Sequence, residues 1–408
     1  MSVATRGGAE VVNFGCRLNI AEGEAIRAAV REAAAPDTIV FNSCAVTDEA
    51  VRQARQAVRR ALRESPGRRV VVTGCAAELE SARFADMGAQ VVRNDAKGLA
   101  ASYGAGPAAA PRRDYTPALS GADHARAFLG VQTGCSHSCT FCATVIARGS
   151  ARSATIDAVV ASARTALDRG QREIILTGVD LASYGDDSGA SLAALVEALL
   201  ALPDLERLRL SSLDPDRIDD ALFALLTREA RVMPHVHLSL QAGDDMVLTR
   251  MKRRHRRAGA VELTRRLKAA RPEIAIGADL IAGFPTEDET MFANSLALID
   301  DCDIVFGHIF PYSARAGTPA ARMPQVGRGV ARERAATLRE ANARRRHAWL
   351  DAQTGRTTRM LVERDGLTGH GENFAALTLD APTAPGRIVP VRIGARDGDR
   401  MAARELAA

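Results

Sequence analysis

The 408-residue chain is 47% hydrophobic and 25% charged, a composition typical of a globular protein with two or three domains. No stretch of membrane-spanning length is free of charge, and residues 1–16 do not pair a basic start with a long apolar run, so we expect a cytoplasmic protein with no membrane segment. The net charge of +5 mildly favours an anionic partner such as nucleic acid, although an arginine- and alanine-rich composition from a GC-rich genome would give the same charge.

The first hundred residues alternate short apolar runs with amphipathic segments. The runs at 10–15, 37–43 and 68–74 are typical of buried parallel strands, and residues 49–65 repeat apolar side chains with a helical period. We therefore predict a βαβ, doubly wound N-terminal domain over residues 1–100. Residues 101–124 are rich in Ala, Gly and Pro without periodicity, which favours a linker.

A second series of strands and helices begins near Arg126. Six apolar runs lie at 128–134, 173–180, 207–213, 235–243, 274–284 and 303–310. Helical patterns at 155–170 and 190–202 lie between the first three of these runs. Six strand–helix units predict an open (β/α)6 barrel over residues 125–352, which ends in a basic helix over 329–352. Chemistry in such barrels lies at the carboxyl ends of the strands.

The tail changes character after the basic helix. Residues 353–408 contain short strand-like runs separated by Gly and Asp turns. We therefore predict a small, separate C-terminal β-barrel, so that the whole chain is an α/β protein of three domains.

Three of the seven cysteines lie in one loop, GCSHSCTFC, at residues 134–142. An odd number of cysteines in a cytosolic chain favours metal or catalytic roles over disulfides. Structural zinc takes four ligands, whereas this loop offers Cys135, Cys139 and Cys142, with His137 poorly spaced to be a fourth. Three thiolates suit three irons of a [4Fe–4S] cluster, which leaves the fourth iron open for a cofactor. The alternatives are a zinc loop or three buried cysteines.

Three more cysteines, Cys16, Cys44 and Cys75, each follow a predicted strand of the N-terminal domain. Because adjacent parallel strands lie about 4.8 Å apart, thiols at their carboxyl ends can converge on a second metal site. The alternative is three buried core cysteines. Cys302 has no such partners, and we interpret it as a small buried hydrophobe.

The C-x3-C-x2-C spacing with Phe141 before the last cysteine resembles the radical S-adenosylmethionine (SAM) superfamily, in which the open iron binds SAM and the cluster cleaves it. Together with three dispersed cysteines before the barrel and a β-rich tail after it, the chain resembles the methylthiotransferase family, whose tail is an RNA-binding TRAM domain. Further matching segments are ARGSARS (147–153), EIILTGVDLASYG (173–185), LRLSSLDP (208–215), LSLQAGDDMVLTRM (238–251), DLIAGFPTEDE (279–289) and HIFPYSARAGTPA (308–320).

Val46 and Thr47 after Cys44, and the segment GVDLASYG, most resemble the branch that acts on N6-threonylcarbamoyladenosine (t6A) at position 37 of tRNA. The implied product is the 2-methylthio derivative, ms2t6A. The isopentenyladenosine branch typically carries an Arg–Glu pair after this cysteine. Three departures from the family pattern bear on the SAM pocket and the substrate loop: Val145 in place of a proline, QAGDD at 241–245 and MKRRH at 251–255.

The resemblance implies two [4Fe–4S] clusters and SAM as cofactors. Cys135, Cys139 and Cys142 would hold the SAM-cleaving cluster, and the other triplet would hold the cluster that supplies sulfur. SAM contacts are implied at the strand ends, where each residue could instead satisfy its own backbone; they are Thr177, Gly178, Val179, Ser211, Ser212, Gln241, Asp279 and Gly283. Arg148 and Arg152 could pair with the SAM carboxylate or with an RNA phosphate.

The implied partners are the anticodon stem-loop of tRNA and an electron donor protein, and we expect a monomer. The tail and the arginines Arg344, Arg345 and Arg346 would bind phosphates, although a solvated helix face is equally consistent with this run. Phe374 and Trp349 could stack on bases, although aromatic side chains of this kind more often lie in the core. Alternative functions are methylthiolation of isopentenyladenosine tRNA or of a ribosomal protein, and a non-catalytic, metal-containing RNA-binding protein.

Overall fold

The computed structural model describes residues 9–104 and 115–407. A parallel sheet is followed by a partial barrel of parallel strands and helices, and the chain ends in a small closed β-barrel. The α/β class and the three predicted architectures are therefore confirmed. None of the helices in the described residues has the length and apolar character needed to cross a bilayer.

The N-terminal sheet has four parallel strands in the order β1-β2-β3-β4. Val40 and Val71 pack with α1 on one face, while Phe41 and Val72 pack with α2 on the other. Because helices cover both faces, every residue of β2 is buried. The elements are β1 (Glu10–Asn13), α1 (Arg17–Glu32), β2 (Thr38–Ser43), α2 (Asp48–Glu64), β3 (Arg69–Gly74), α3 (Cys75–Leu79), α4 (Ser81–Asp86) and β4 (Gln90–Val91), followed by a 3-10 turn at Ala100–Ser102.

The central barrel is built from two sheets that isolated parallel bridges join at Leu208–Val232 and Leu213–Leu238. Its elements are β5 (Ala118–Leu119), β6 (Ala127–Gly130), β7 (Gln132–Thr133), α5 (Thr144–Arg148), β8 (Arg152–Ser153), α6 (Ile156–Asp168), β9 (Glu173–Thr177), α7 (Leu192–Leu200), β10 (Arg207–Leu210), α8 (Asp220–Arg228), β11 (His235–Gln241), α9 (Asp245–Arg250), α10 (Arg257–Ala270), β12 (Ala275–Ala282), α11 (Glu289–Asp301), β13 (Ile304–Pro311) and α12 (Arg328–Asp351). Three-residue 3-10 turns lie at Leu181–Ser183 and Pro215–Arg217, and a four-residue one lies at Pro319–Arg322.

The barrel is open, with the sheet orders β10-β9-β6-β5 and β11-β12-β13. In the described residues no ladder joins β13 to β5 or β6, and α1 of the N-terminal domain packs on β5 and β6. The six parallel strands are those predicted, except that the first is divided into β6 and β7. The N-terminal domain therefore lies against the first strands of the barrel, beside its open edge.

The tail forms a closed barrel in the order β14-β15-β16-β18-β17. Alternate residues of β17, including Val389, Val391 and Ile393, point into its core. The strands are β14 (Thr357–Val362), β15 (Thr368–His370), β16 (Ala376–Leu379), β17 (Ile388–Asp397) and β18 (Arg400–Glu405).

A buried charged contact joins this closed barrel to the base of the central one. Glu173, at the start of β9, forms ion pairs with Arg126, Arg207 and Arg209, with N–O distances of 3.3, 3.3 and 3.1 Å. Arg209 also donates to the backbone oxygens of Gly371 and Glu372, both at 2.8 Å. The tail is thus a closed β-barrel with its own core, as predicted, and it packs against the base of the central barrel.

The predicted linker, 101–124, is only partly visible, because residues 105–114 lie outside the described residues. Ala118–Leu119, from the same segment, pairs antiparallel with β6 as an edge strand. The domain boundaries at residues 100, 124 and 352 stay predictions.

Candidate functional site: two thiol triplets at a domain interface

The thiols of Cys16, Cys44 and Cys75 follow the carboxyl ends of three adjacent parallel strands. The register pairs Asn13 with Asn42 and Ser43 with Gly74, so the three strands end side by side. Gly15 has a positive φ of 87°, and a Cβ there would lie 2.6 Å from the Cys44 Sγ, so only glycine allows this turn. Cys16 itself is exposed to solvent, directly before α1.

Buried asparagines hold these cysteine turns together. Asn19 donates to the Phe14 oxygen at 2.7 Å and to the Ser43 oxygen at 3.2 Å, and Asn42 donates to the Asn19 oxygen at 3.0 Å. The start of α1 is thereby tied to the ends of β1 and β2. These asparagines are not among the residues predicted from the sequence, although a polar side chain on the apolar face of α1 is a signal that could have identified Asn19.

The second triplet lies in the loop after β7, at the carboxyl end of the first barrel strand. Gly134 has a φ of 72°, and a Cβ there would lie 2.0 Å from the Ser150 oxygen. The Cys135 amide donates to the Gly149 oxygen at 3.1 Å, and the Thr140 hydroxyl donates to the Arg250 oxygen at 2.7 Å. The loop is therefore tied both to the turn after α5 and to the end of α9.

The chemistry of these thiols fits metal clusters. All six are free, and burial raises the pKa of Cys44 to about 11 and, together with Asp180, that of Cys135 to about 12. Each triplet offers three thiols, one fewer than the four ligands of structural zinc. Three thiols suit three irons of a [4Fe–4S] cluster, with the fourth iron open.

Arg148, at the end of the helix α5 that follows the second triplet, reaches the first triplet across the domain interface. Its guanidinium forms two bonds to the Glu22 carboxylate, at 2.8 and 3.0 Å, and donates to Asn19 at 2.9 Å and to the Cys75 Sγ at 3.2 Å. Burial raises the pKa of Glu22, but Arg148 and Lys97 outweigh it and bring the pKa to about 2. Arg148 thus pairs within the chain. Its pairing with the SAM carboxylate or with an RNA phosphate stays a prediction, as does that of Arg152, which lies in β8.

The end of β9, where we expect Thr177, Gly178 and Val179 to meet SAM, is clamped by Gln132. The Gln132 Oε1 accepts from the amides of Val179 and Asp180, both at 3.0 Å, and a Cβ at Gly178 would lie 2.8 Å from this oxygen. Thr177 is buried as the last residue of the strand. The backbone at this strand end is therefore fixed beside the cysteine loop.

Asp180 is a candidate site residue that was not predicted from the sequence. Its Oδ2 lies 3.6 Å from the Cys135 Sγ, 3.2 Å from His137 Nε2 and 2.5 Å from the Ser183 hydroxyl. Burial raises the pKa of Asp180, but the neighbouring His137 and the Ser183 hydroxyl outweigh it and keep the pKa below its usual value. An acidic residue at the end of the predicted strand, 173–180, was the available signal.

Arg253 is a second missed residue, from the segment MKRRH that departs from the family pattern. It pairs with Asp214 at 2.9 Å, donates to the Ser239 oxygen at 2.9 Å and lies 3.5 Å from the Cys139 Sγ. Its charge is therefore held beside the thiol of the loop by a buried carboxylate.

Ser211, Ser212 and Gln241 lie at the same rim. The Ser211 hydroxyl is buried without a hydrogen-bond partner in the described residues, and Ser212 is half-buried beside it. Gln241 ends β11 at a register shift with a φ of +68°, a strained conformation for a residue other than glycine. These side chains have hydrogen-bonding capacity to offer a ligand.

Asp279 and Gly283, also predicted to meet SAM, have different surroundings. Asp279 Oδ1 lies 3.1 Å from His237 Nε2 and 3.3 Å from His308 Nδ1, so three neighbouring strands bring these side chains together inside the barrel. A Cβ at Gly283 would lie 2.3 Å from the Ala331 Cβ, and its amide donates to Glu287 at 2.9 Å. Gly283 therefore has a packing reason to be glycine.

The basic helix is largely engaged within the protein. Arg345 donates to Asp303 and Arg346 to Asp399, both at 2.6 Å, whereas Arg344 is exposed. Trp349 packs edge-to-face on Phe306, with the ring centroids 5.4 Å apart, and Phe374 stacks on His370 at 4.6 Å. Both rings lie in core contacts, and Cys302 is buried as predicted.

Comparison with known proteins gives two matching families. The Radical SAM superfamily matches residues 129–299, and the Uncharacterized protein family UPF0004 matches residues 9–93. The chain is also similar in structure to a radical S-adenosylmethionine methyltransferase, TsrM, from Kitasatospora setae with cobalamin and a [4Fe-4S] cluster bound. That likeness has a TM-score of 0.56 at 15% identity, covers 77% of this chain and 76% of that one, and concerns the fold alone.

Curated relatives match along nearly the whole chain. The threonylcarbamoyladenosine tRNA methylthiotransferase MtaB of Rickettsia prowazekii is 41% identical, with 95% of this chain and 96% of that protein covered. The protein of the same name from Aquifex aeolicus is 32% identical, with 88% and 91% covered. The tRNA-2-methylthio-N(6)-dimethylallyladenosine synthase of Sphingopyxis alaskensis is 30% identical, with 98% and 97% covered. The chain therefore belongs to the radical SAM methylthiotransferase family, in the MtaB branch, and its cofactors are SAM and two [4Fe–4S] clusters.

Proposed function

We propose that the chain converts t6A at position 37 of tRNA into ms2t6A. The observation that carries the proposal is the meeting of two triplets of free thiols, from two different sheets, at one interface that Arg148 spans. Four relatives named threonylcarbamoyladenosine tRNA methylthiotransferase, at 32% to 41% identity, support this substrate.

We assign Cys135, Cys139 and Cys142 to the cluster that binds SAM, and the triplet Cys16, Cys44 and Cys75 to the auxiliary cluster. When bound, these groups supply the radical chemistry that the unreactive adenine C2–H bond requires, and the sulfur that replaces the hydrogen. The protein contributes positioning: the Arg148–Glu22 pair, at 2.8 Å, holds the two cysteine-bearing elements in one arrangement.

Residues at the barrel rim would hold SAM beside Cys135. The Asp180 carboxylate, 3.6 Å from that thiol, can accept from the SAM ammonium group. The Ser211 hydroxyl and the Gln241 amide can bind the ribose hydroxyls, because neither side chain has a hydrogen bond in the described residues. Gln132 serves this site indirectly, since it fixes the backbone from Gly178 to Asp180.

The modified base lies in the anticodon loop, so it must leave the loop stack to reach the cleft between the two triplets. Arg344, the exposed member of the basic run, is our candidate for a phosphate contact. We further propose that the protein acts as a monomer in the cytoplasm, with a separate electron donor protein.

Nucleoside mass spectrometry of tRNA from a deletion strain tests the function. We expect ms2t6A to disappear, t6A to accumulate, and the wild-type gene to restore ms2t6A. Complementation with Cys135→Ala should fail to restore it. Loss of the 2-methylthio form of the dimethylallyl nucleoside would favour the alternative that the 30% identical synthase represents. An unchanged nucleoside pool would favour a non-catalytic RNA-binding protein.

A further inference from the structure

Arg17 extends from the thiol region into the central barrel. It begins α1 directly after Cys16, and its Cζ lies 5.5 Å from the centre of the Phe374 ring. Phe374 belongs to the C-terminal barrel and packs on His235, the first residue of β11, at 5.0 Å. The Arg17 side chain therefore spans the distance between the auxiliary triplet and the base of the central barrel.

The other buried cations in this region have carboxylate partners. Arg126, Arg207 and Arg209 share Glu173, Arg148 and Lys97 share Glu22, and Arg253 pairs with Asp214. In the described residues, Arg17 has no carboxylate within 4.0 Å and no hydrogen bond from its guanidinium. Its guanidinium contacts the face of Phe374, and the charge of Glu173 acts on it only from beyond ion-pair distance.

Arg17 is half-buried, and its guanidinium has five N–H donors without a partner in the described part of the chain. Withdrawing such donors from water costs free energy unless an anion binds them. The proposed substrate carries such an anion, because the threonylcarbamoyl group on N6 ends in a carboxylate. The dimethylallyl group of the alternative substrate is neutral and apolar. Adenine N6 and C2 are separated by two ring atoms, so the substituent begins close to the carbon that receives sulfur.

We propose that Arg17 binds the carboxylate of the threonylcarbamoyl group and thereby selects t6A over adenosines with a neutral N6 substituent. The inference rests on the proposed function. Arg17 would form a two-bond pair with the carboxylate, a geometry that guanidinium favours over ammonium. The Phe374 ring supports the other face of the guanidinium, and the position next to Cys16 places the bound base beside the auxiliary thiols.

The test crosses protein variants with a matched pair of RNAs. Anticodon stem-loops carry either t6A or its carboxamide analogue, in which a neutral amide of nearly the same size replaces the carboxylate. For the reconstituted protein and for Arg17→Gln and Arg17→Lys we would measure RNA affinity, kcat/KM for 2-methylthio product, and iron content. Arg31→Gln is the control, because Arg31 lies on the same helix with its side chain 63% exposed.

Wild-type protein should prefer the acid over the amide by about 10–100-fold, the effect of one charge-assisted pair. Arg17→Gln should remove this preference by losing activity on the acid alone, and Arg17→Lys should keep part of it. Arg31→Gln should behave as wild type, and all proteins should hold about eight irons.

Two results would overturn this inference and leave the proposed function standing. One is an unchanged acid-to-amide ratio in Arg17→Gln. The other is a loss of iron from that variant, which would mean that Arg17 supports the cluster. If Arg17→Gln does not fold, Arg17→Met would be measured in its place, and an unchanged ratio in that uncharged variant would have the same meaning. Failure of the wild-type protein to convert the t6A stem-loop would overturn the proposed function and this inference with it.

Discussion

Replacing Glu173 with glutamine is expected to weaken the contact between the central barrel and the C-terminal barrel. Glu173 is fully buried and faces three arginines at 3.1 to 3.3 Å, and two of these, Arg207 and Arg209, also donate to backbone oxygens of the tail. Glutamine keeps the shape but leaves buried positive charge without its counter-charge. Removing one member of a buried ion pair typically costs about 3–5 kcal/mol.

The matched control is Glu206→Gln. Glu206 pairs with Arg359 across the same two barrels, but the two side chains are 38% and 47% exposed. Exposed pairs contribute about 0–1 kcal/mol, so this variant should resemble wild type. The probe is the fluorescence of Trp349, the single tryptophan, which packs on Phe306 of the central barrel and on the core of the tail.

The measurement is urea unfolding followed through Trp349, in the protein as purified and at several pH values. Burial raises the pKa of Glu173, but Arg209, Arg126 and Arg207 outweigh it and hold the pKa well below its usual range. A carboxyl with a lowered folded-state pKa stabilises the fold at pH values above its unfolded pKa of about 4.3. This stability should be lost as pH falls below about 4, and Glu173→Gln should lack that part of the pH dependence. Equal unfolding midpoints for Glu173→Gln, Glu206→Gln and wild type at pH 7 would refute the reasoning.

Three further predictions concern the thiols. The triple alanine variant of Cys135, Cys139 and Cys142 should hold about four irons and form no 5′-deoxyadenosine from SAM; full cleavage would contradict the assignment. The triple alanine variant of Cys16, Cys44 and Cys75 should still form 5′-deoxyadenosine with a reductant but no ms2t6A, whereas near wild-type product would restore the alternative of three core cysteines. Gly15→Ala should lose about four irons, because its Cβ would lie 2.6 Å from the Cys44 Sγ. The control Gly67→Ala, with no neighbour within 4 Å, should lose none. Equal iron content in the two variants would show that a Cβ at Gly15 does not disturb the cluster.

Local patterns in the sequence predicted most of the fold and the cluster ligands. Strand and helix periods are set by which residues a single segment buries, so the helices predicted at 49–65 and 329–352 occur at Asp48–Glu64 and Arg328–Asp351. Cysteines after parallel strands converge because the strands of one sheet end side by side, which made Cys16, Cys44 and Cys75 recognisable as a set.

The partners of charged residues depended on the tertiary structure. Arg148 could have bound SAM, RNA or an acidic side chain, and only the packing of α1 against the barrel places Glu22 at 2.8 Å. The same holds for Glu173, whose arginines also bind a tail almost 200 residues further along the chain. A guanidinium can be satisfied by any anion that reaches it, so its sequence neighbours do not determine which one does. The spacing of the thiols along the chain thus predicted the cluster ligands. The pairing of charges, and with it the contacts between the three domains, depends on which surfaces meet in the folded protein.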